Sequence, residues 1–256
     1  MTQLKKFICM LSLICPFTVY AQTVVQSASA SNNAADANPT LSVSFTSAPT
    51  PGNSVIVIWS SREPVGLSGI ADNQSGNRYS SVVVETSSAN GVDSEIWWEP
   101  AVVGSSGTFT VTGTLPSAEP AVITIMEVSG LSGAIDKTKA QGALNTSTTL
   151  TVTSSSANAN ANDLVVANIA SGDVNTATGT SNPASTGYTS LNFIDGTNAY
   201  NGVVQSSAKS VSAVETSSST WTAATAFNGA AATLATFKGA TAPTAPSKFP
   251  FFGVGL

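Results

Sequence analysis

The chain repeats itself at a step of 109 residues, and that step constrains its architecture before any site is considered. Tyr79 recurs as Tyr188, and Gly130 as Gly239. Residues 53–57 (NSVIV) meet 162–166 (NDLVV), and 40–43 (TLSV) meet 149–152 (TLTV). The offset slips around residues 94–112 and returns by Ala121, as a loop insertion would make it do. Two units follow, 22–130 and 131–239. At the repeat offset, the N-terminal stretch 24–30 falls near 134–139 and belongs to the first unit.

Within each unit the pattern has period two. Leu41, Val43 and Phe45 alternate with small polar residues, as in a strand with one buried face. Residues 55–59 form a continuous apolar run, which predicts a strand covered on both sides. Further strands are expected at 79–85, 95–98, 108–112 and 121–128. In the second unit they are expected at 164–169, 188–194, 201–204, 220–224 and 231–237. Pro51-Gly52-Asn53, residues 72–77, Asn90-Gly91 and Asp195-Gly196 read as turns. No segment keeps a helical period with caps. The fold class is therefore all-β: an antiparallel β-sandwich, jelly-roll or immunoglobulin-like, built from two duplicated halves. The join at 131–134 is short and lacks proline, so the halves are expected to pack closely.

The ends read differently. Lys5 and Lys6, the short apolar run 7–19 and the small residues Val19 and Ala21 form a signal peptide, 1–21, with cleavage before Gln22. Cys9 and Cys15 both lie inside it. Ile14 before Cys15 is too bulky for lipoprotein processing, which is the weaker reading of this segment. An exported mature chain without cysteine must be held by its core. No later run approaches the length of a membrane span. Residues 240–248 form a Pro-rich spacer, and 249–256 (FPFFGVGL) a hydrophobic terminal strand.

Composition narrows the functions. Charged residues make up 9% of the chain and net charge is −5, so no phosphate-binding surface and no nucleic-acid partner are expected. So little charge also weakens repulsion between copies. The chain has no histidine, which excludes Ser-His-Asp and Cys-His catalysis. Glu85, Asp93, Glu95 and Glu99 are close in sequence but read as solvated strand and turn positions rather than a glycosidase pair. Asp72 with Asn73, Gly76 and Asn77 offers one carboxylate, fewer than calcium wants, and reads as an Asx-type turn. No catalytic residue, metal or cofactor is assigned, and no enzyme is expected.

DNQSGNRY (72–79), EVSG (127–130), NDLVV (162–166) and TFKG (236–239) resemble a broad group of exported bacterial β-sandwich proteins of undefined activity. The resemblance covers most of 24–239 and implies fold and compartment only. An exported sandwich ending in a loose hydrophobic strand also resembles, in architecture, fibre subunits that polymerise by strand donation. In an extended tail, Phe252, Val254 and Leu256 share one side, with Phe249 and Phe251 completing the donor set. The expectation is a secreted structural protein, extracellular or at the cell surface, whose partner is itself, head to tail; the tail's other readings are an edge strand folded back on its own domain and a C-terminal sorting or anchoring signal. The rival is a monomeric carbohydrate-binding module, with Trp97 and Trp98 as the glycan-stacking residues.

Overall fold

The computed structural model describes residues 22–240 apart from 33–36, 63–65, 88–90, 105–106, 144–146, 173–185, 195–201, 223–225 and 228. The expected signal peptide and the terminal segment 249–256 lie outside the described residues, as does the Asp195-Gly196 turn. The first half contributes β1 (Thr23–Ser31), β2 (Asn38–Ser44), β3 (Ser54–Ser61), β4 (Gly69–Asp72), β5 (Ser80–Ser87), β6 (Val92–Glu99), β7 (Thr110–Glu119) and β8 (Ala121–Ser129). The second contributes β9 (Leu131–Ala143), β10 (Thr149–Thr153), β11 (Leu164–Ser171), β12 (Thr189–Ile194), β13 (Val203–Ser210), β14 (Ser218–Thr222) and β15 (Ala230–Gly239).

Each half closes its own pair of antiparallel sheets. The first has a large sheet in the order β1-β8-β3-β6-β5 and a small one, β2-β7-β4. The second has β9-β15-β11-β13-β12 and β10-β14. In the large sheets this is the same order twice, strand for strand, and β10-β14 repeats β2-β7. Pairing of β1 with β8 and of β2 with β7 follows a jelly roll rather than an immunoglobulin domain. The one departure is β5, which stays beside its hairpin partner β6. The duplication extends to irregularities. Val25 and Asp136 bulge from β1 and β9 at matching positions, and Val82 and Leu191 bulge from β5 and β12. Bulges twist and bend edge strands, so keeping them keeps the curvature of both large sheets.

Pairing also corrects the sequence alignment. Trp59 lies opposite Ile123, and Ile169 lies opposite Ala232. Ile123 and Ala232 are one repeat apart, so the counterpart of Trp59 is Ile169, not Asn168. By the same logic Val24 corresponds to Ile135, beyond where the constant step placed it. Loops between strands absorb these slips, whereas a slip inside a strand would turn its apolar side to water.

Three cores result. Between the sheets of the first half lie Val43, Phe45, Val55, Val57, Trp59, Phe109, Val111, Ile123 and Ile125. Phe45 and Phe109 stack with ring centroids 5.8 Å apart. The second half repeats this with Leu150, Val152, Val165, Ala167, Ile169, Trp221 and Leu234. The third core joins the halves back to back. Ile56, Ile58, Ile96, Trp98, Met126 and Val128 of the first large sheet meet Leu164, Val166, Ala208, Ala235 and Phe237 of the second. The protein is thus four layers thick, small-large-large-small. Alternate residues of β3 enter two different cores, which is why 55–59 is continuously apolar. β5 packs over β9, and β1 over β12, so the halves meet with an approximate internal two-fold.

A polar knot sits in this third core. Asn168 Nδ2 donates to Ser60 Oγ (2.9 Å) and Ser94 Oγ (2.8 Å), while its Oδ1 accepts from Ser206 Oγ (2.9 Å). Ser94 and Thr233 share a hydroxyl bond of 2.9 Å. All five residues are buried, and the knot ties both halves, with Asn168 Nδ2 also 3.4 Å from the Trp59 carbonyl oxygen.

Candidate functional site

The carboxylates of β6 are where the chain departs most from a plain apolar sandwich. The sequence D-S-E-I-W-W-E puts Asp93, Glu95, Trp97 and Glu99 on one face of β6, and Ser94, Ile96 and Trp98 on the other. The second face enters the core between the halves. The first points between the sheets of the first half. Asp93, Glu95 and Glu99 are accordingly buried, which corrects the expectation that they are solvated. Sheets cover β6 on both sides, and Trp97 is the one position on it that keeps partial exposure.

Each buried carboxylate has work to do inside the fold. Glu95 accepts from the Leu67 backbone N–H (2.6 Å) and from Trp97 Nε1 (2.5 Å). Glu99 accepts from the Arg78 and Ala101 N–H groups. Asp93 Oδ1 accepts from Thr86 Oγ1 (3.1 Å). Burial, and then the charge of Glu95, push the Asp93 carboxyl up to about 9. The Asp93 carboxyl therefore favours its protonated form at neutral pH. The corresponding positions of β13 are Val203 and Gln205, so the fold itself does not require this acid pair.

The turn motifs prove to be clamps. Asp72 accepts from the Gln74 N–H (2.8 Å), Asn77 Nδ2 (2.8 Å) and Tyr79 Oη (2.9 Å). Its oxygens are saturated from within, as the Asx-turn reading of this segment requires. Burial raises the Tyr79 hydroxyl far above its ordinary value, with the Asp72 charge adding to it. Glu127 accepts from Thr50 N–H, Asn53 Nδ2 and Gln26 Nε2. Asp163 accepts from the Gly239 N–H (3.1 Å), pinning the end of β15 beside the start of β11. A Cβ at Gly239 would stand 2.0 Å from the Asn162 carbonyl oxygen, so only glycine fits there. DNQSGNRY, EVSG, NDLVV and TFKG are thus hydrogen-bonded punctuation. Among the described residues no group of three or more acidic, Cys or His side chains is placed to hold a metal ion.

The tryptophans divide in an unexpected way. Trp98 is 5% exposed, with its ring edge-on to Phe237 at 5.3 Å across the two halves. Neither face of it is open to a sugar, which corrects its assignment as a stacking residue. Trp97 is half-buried against the first core and tethered to Glu95. Trp59 and Trp221 are core residues. Adjacent strand positions do face opposite sides, as the sequence requires, but here both sides are interiors.

Open strand edges are the other feature. The edge β9 carries Asp136, Lys137 and Lys139, β5 carries Glu85, β2 carries Pro39, and β4 has only four residues. Charges, proline and shortness all discourage pairing with another chain. β1 (TVVQSASAS) has nine residues, no charge and no proline. Its bulge at Val25 leaves 26–31 regular, and among the described residues only β8 pairs with it. The donor residues assigned to the tail, Phe249, Phe251, Phe252, Val254 and Leu256, lie outside the described residues.

No family model matches the chain. Neither does any curated protein or solved structure. No helix among the described residues is long and apolar enough to cross a membrane.

Proposed function

We propose that this is an exported, non-enzymatic structural protein, the subunit of a fibre or surface assembly, joined head to tail by a donated terminal strand. The observation that carries the reading is the outer edge of β1. It is long, uncharged and proline-free in a protein whose other large-sheet edges carry charges, or in β12 only six residues and a bulge. The donor is the segment 251–256 of the next copy, six residues against the six of 26–31. Added as a sixth strand, it would satisfy the row of backbone groups on β1 and hide its own apolar side chains. A tail leaving one copy and an edge waiting on another make a contact that does not close, and hence a filament. The Pro-rich spacer gives the donor its reach.

The carbohydrate reading has no comparable support, because Trp98 is enclosed between the halves and Trp97 Nε1 is taken by Glu95.

Electron microscopy of the mature chain tests the proposal, beside a version ending at Ser247 and the edge variant Ser27→Lys/Ser29→Lys. Filaments from the intact chain alone are the expected result. Filaments that persist in the truncated chain, or monomers from all three, would overturn it.

A further inference from the structure

The outward faces of the two small sheets are built alike. On the first, Thr40, Ser42 and Ser44 of β2 stand opposite Thr114, Thr112 and Thr110 of β7. On the second, Thr149, Thr151 and Thr153 of β10 stand opposite Thr222, Thr220 and Ser218 of β14. From Thr40↔Thr114 to Ser44↔Thr110, and from Thr149↔Thr222 to Thr153↔Ser218, every outward pair bears hydroxyls and no charge; past the irregularity at Pro39 the first ladder ends on Asn38 and Glu119. The hydroxyls are linked across the strands, Ser42 to Thr112 and Ser44 to Thr110 at 2.7 Å, Thr151 to Thr220 at 2.8 Å. Beside Thr112 and Thr114 the third strand, β4, presents only Ala71 and Gly69, so nothing there rises above the hydroxyl plane.

A merely wet face does not need this uniformity, since Lys, Glu, Gln or Asn would serve. Nine of these twelve positions are threonine, short and stiff at χ1, which holds its hydroxyl and methyl in place. Strand geometry then sets two repeats, about 4.8 Å across the strands and about 6.7 Å along them. Divergence between the halves adds weight. Trp59 has become Ile169 and Asp93 has become Val203, yet the outward grid is hydroxyl throughout in both. The two grids also lie on opposite outer faces of the four-layer stack, so one molecule presents two.

A rigid, uncharged grid of hydroxyls and methyls with two fixed repeats fits a partner that is itself a periodic array of hydrogen-bonding oxygens. Charges would hold their own hydration shells and keep such a partner away. We infer that the outward Thr/Ser faces of the two small sheets are docking surfaces for crystalline water, binding the protein to ice. The inference is independent of strand donation, because neither β1 nor the terminal segment takes part.

The test is incorporation of the mature full-length chain into a slowly growing ice crystal, together with thermal hysteresis of its solution. Thr112→Lys and Thr151→Lys place a charge at the centre of each grid, and Thr112→Val/Thr151→Val keeps the shape while removing hydroxyls. Circular dichroism checks that each variant is folded. The wild type is expected to enter the ice, each single Lys variant to enter less, and the double Lys variant to be excluded like an ordinary soluble protein. Exclusion of the wild type overturns the inference, as does equal incorporation of the folded double Lys variant. If it does not fold, the double Val variant decides by the same criterion. Retention on crystalline cellulose or chitin that the double variant loses, without entry into ice, would assign the faces to a polysaccharide instead. Self-association lost in the same variant, again without entry into ice, would assign them to a second copy.

Discussion

Gly113 and Trp59 offer the sharpest test of how the duplicated cores are packed. Gly113 lies in the middle of β7, under the indole of Trp59. A Cβ at this position would stand 2.5 Å from Trp59 Cζ3, 2.9 Å from Cε3 and 3.2 Å from Cη2. Unstrained carbon contacts lie at about 3.5–4.0 Å, so Gly113→Ala forces the indole aside by about an ångström. Trp59 is fully buried among Val57, Phe109, Ile123 and their neighbours, and cannot yield freely. Overpacking of this kind costs about 1–3 kcal/mol, against a gain of about 0.5–1 kcal/mol from replacing glycine in a strand. From the middle of each range, the net expectation is a loss of about 1 kcal/mol. In the second half the same two positions are Ile169 and Trp221, the indole now coming from the small sheet. The core therefore accepts one indole from either side. Trp59→Ile alone should be costly, up to the ~3 kcal/mol lower bound for Trp truncation to alanine. In Trp59→Ile/Gly113→Ala the new methyl enters vacated space. The double variant should then lose less than the sum of the singles by about 1 kcal/mol or more. Urea unfolding followed by far-UV circular dichroism reads all three, since tryptophan fluorescence changes with the variants themselves. A neutral or stabilising Gly113→Ala, or strict additivity in the double variant, would refute the packing argument.

The polar knot between the halves gives a second expectation. Asn168→Ala leaves the Ser60, Ser94 and Ser206 hydroxyls to find new partners in a dry core, so it should cost about 1–3 kcal/mol, measured by the same urea titration. A change within about 0.5 kcal/mol, typical of a surface site, would mean that water reaches the junction. Asp93 supplies a pH dependence. Its folded-state carboxyl titrates near 9 and its unfolded one near ~4, so between these values the native state holds a proton that the unfolded chain has given up. Its contribution to stability is full below about pH 4, falls as pH rises, and levels above about pH 9. The difference in stability between the wild type and Asp93→Asn should shift against the wild type from pH 5 to pH 9, and a flat difference would contradict a carboxyl raised by burial. Asp72→Ala strips acceptors from the Gln74 N–H, Asn77 and the buried Tyr79 hydroxyl, so a loss of about 1–3 kcal/mol is expected, with calcium having no effect on wild-type melting temperature. A calcium-dependent rise would show instead that Asp72 serves an ion.

Local pattern was legible in the chain wherever one residue's neighbours decide its face. Leu41, Val43 and Phe45 announced a one-sided strand, and 55–59 announced a strand covered on both sides. The repeat was legible because Tyr79, Gly130 and their partners keep their spacing, and the motifs around Asp72 were read as turns because Asn, Asp and Gly are turn residues. The tryptophan pair was harder. Alternation sends Trp97 and Trp98 to opposite sides, but it cannot say that both sides of β6 are covered, since the second cover comes from the other half of the chain, with Phe237 more than a hundred residues away. For the same reason the acid pair was hidden: D-x-E reads identically whether that face meets water or Thr86 and Leu67.

By itself, then, the sequence determined an all-β chain, its duplication, its turns and the alternation within each strand, because each follows from residues adjacent along the chain. Only the tertiary structure decided which repeat positions are equivalent, that the two large sheets pack back to back, and that Asn168 and Trp98 belong to their junction. Those depend on contacts between distant strands, where a one-residue slip inside a loop moves nothing locally but exchanges one core for another.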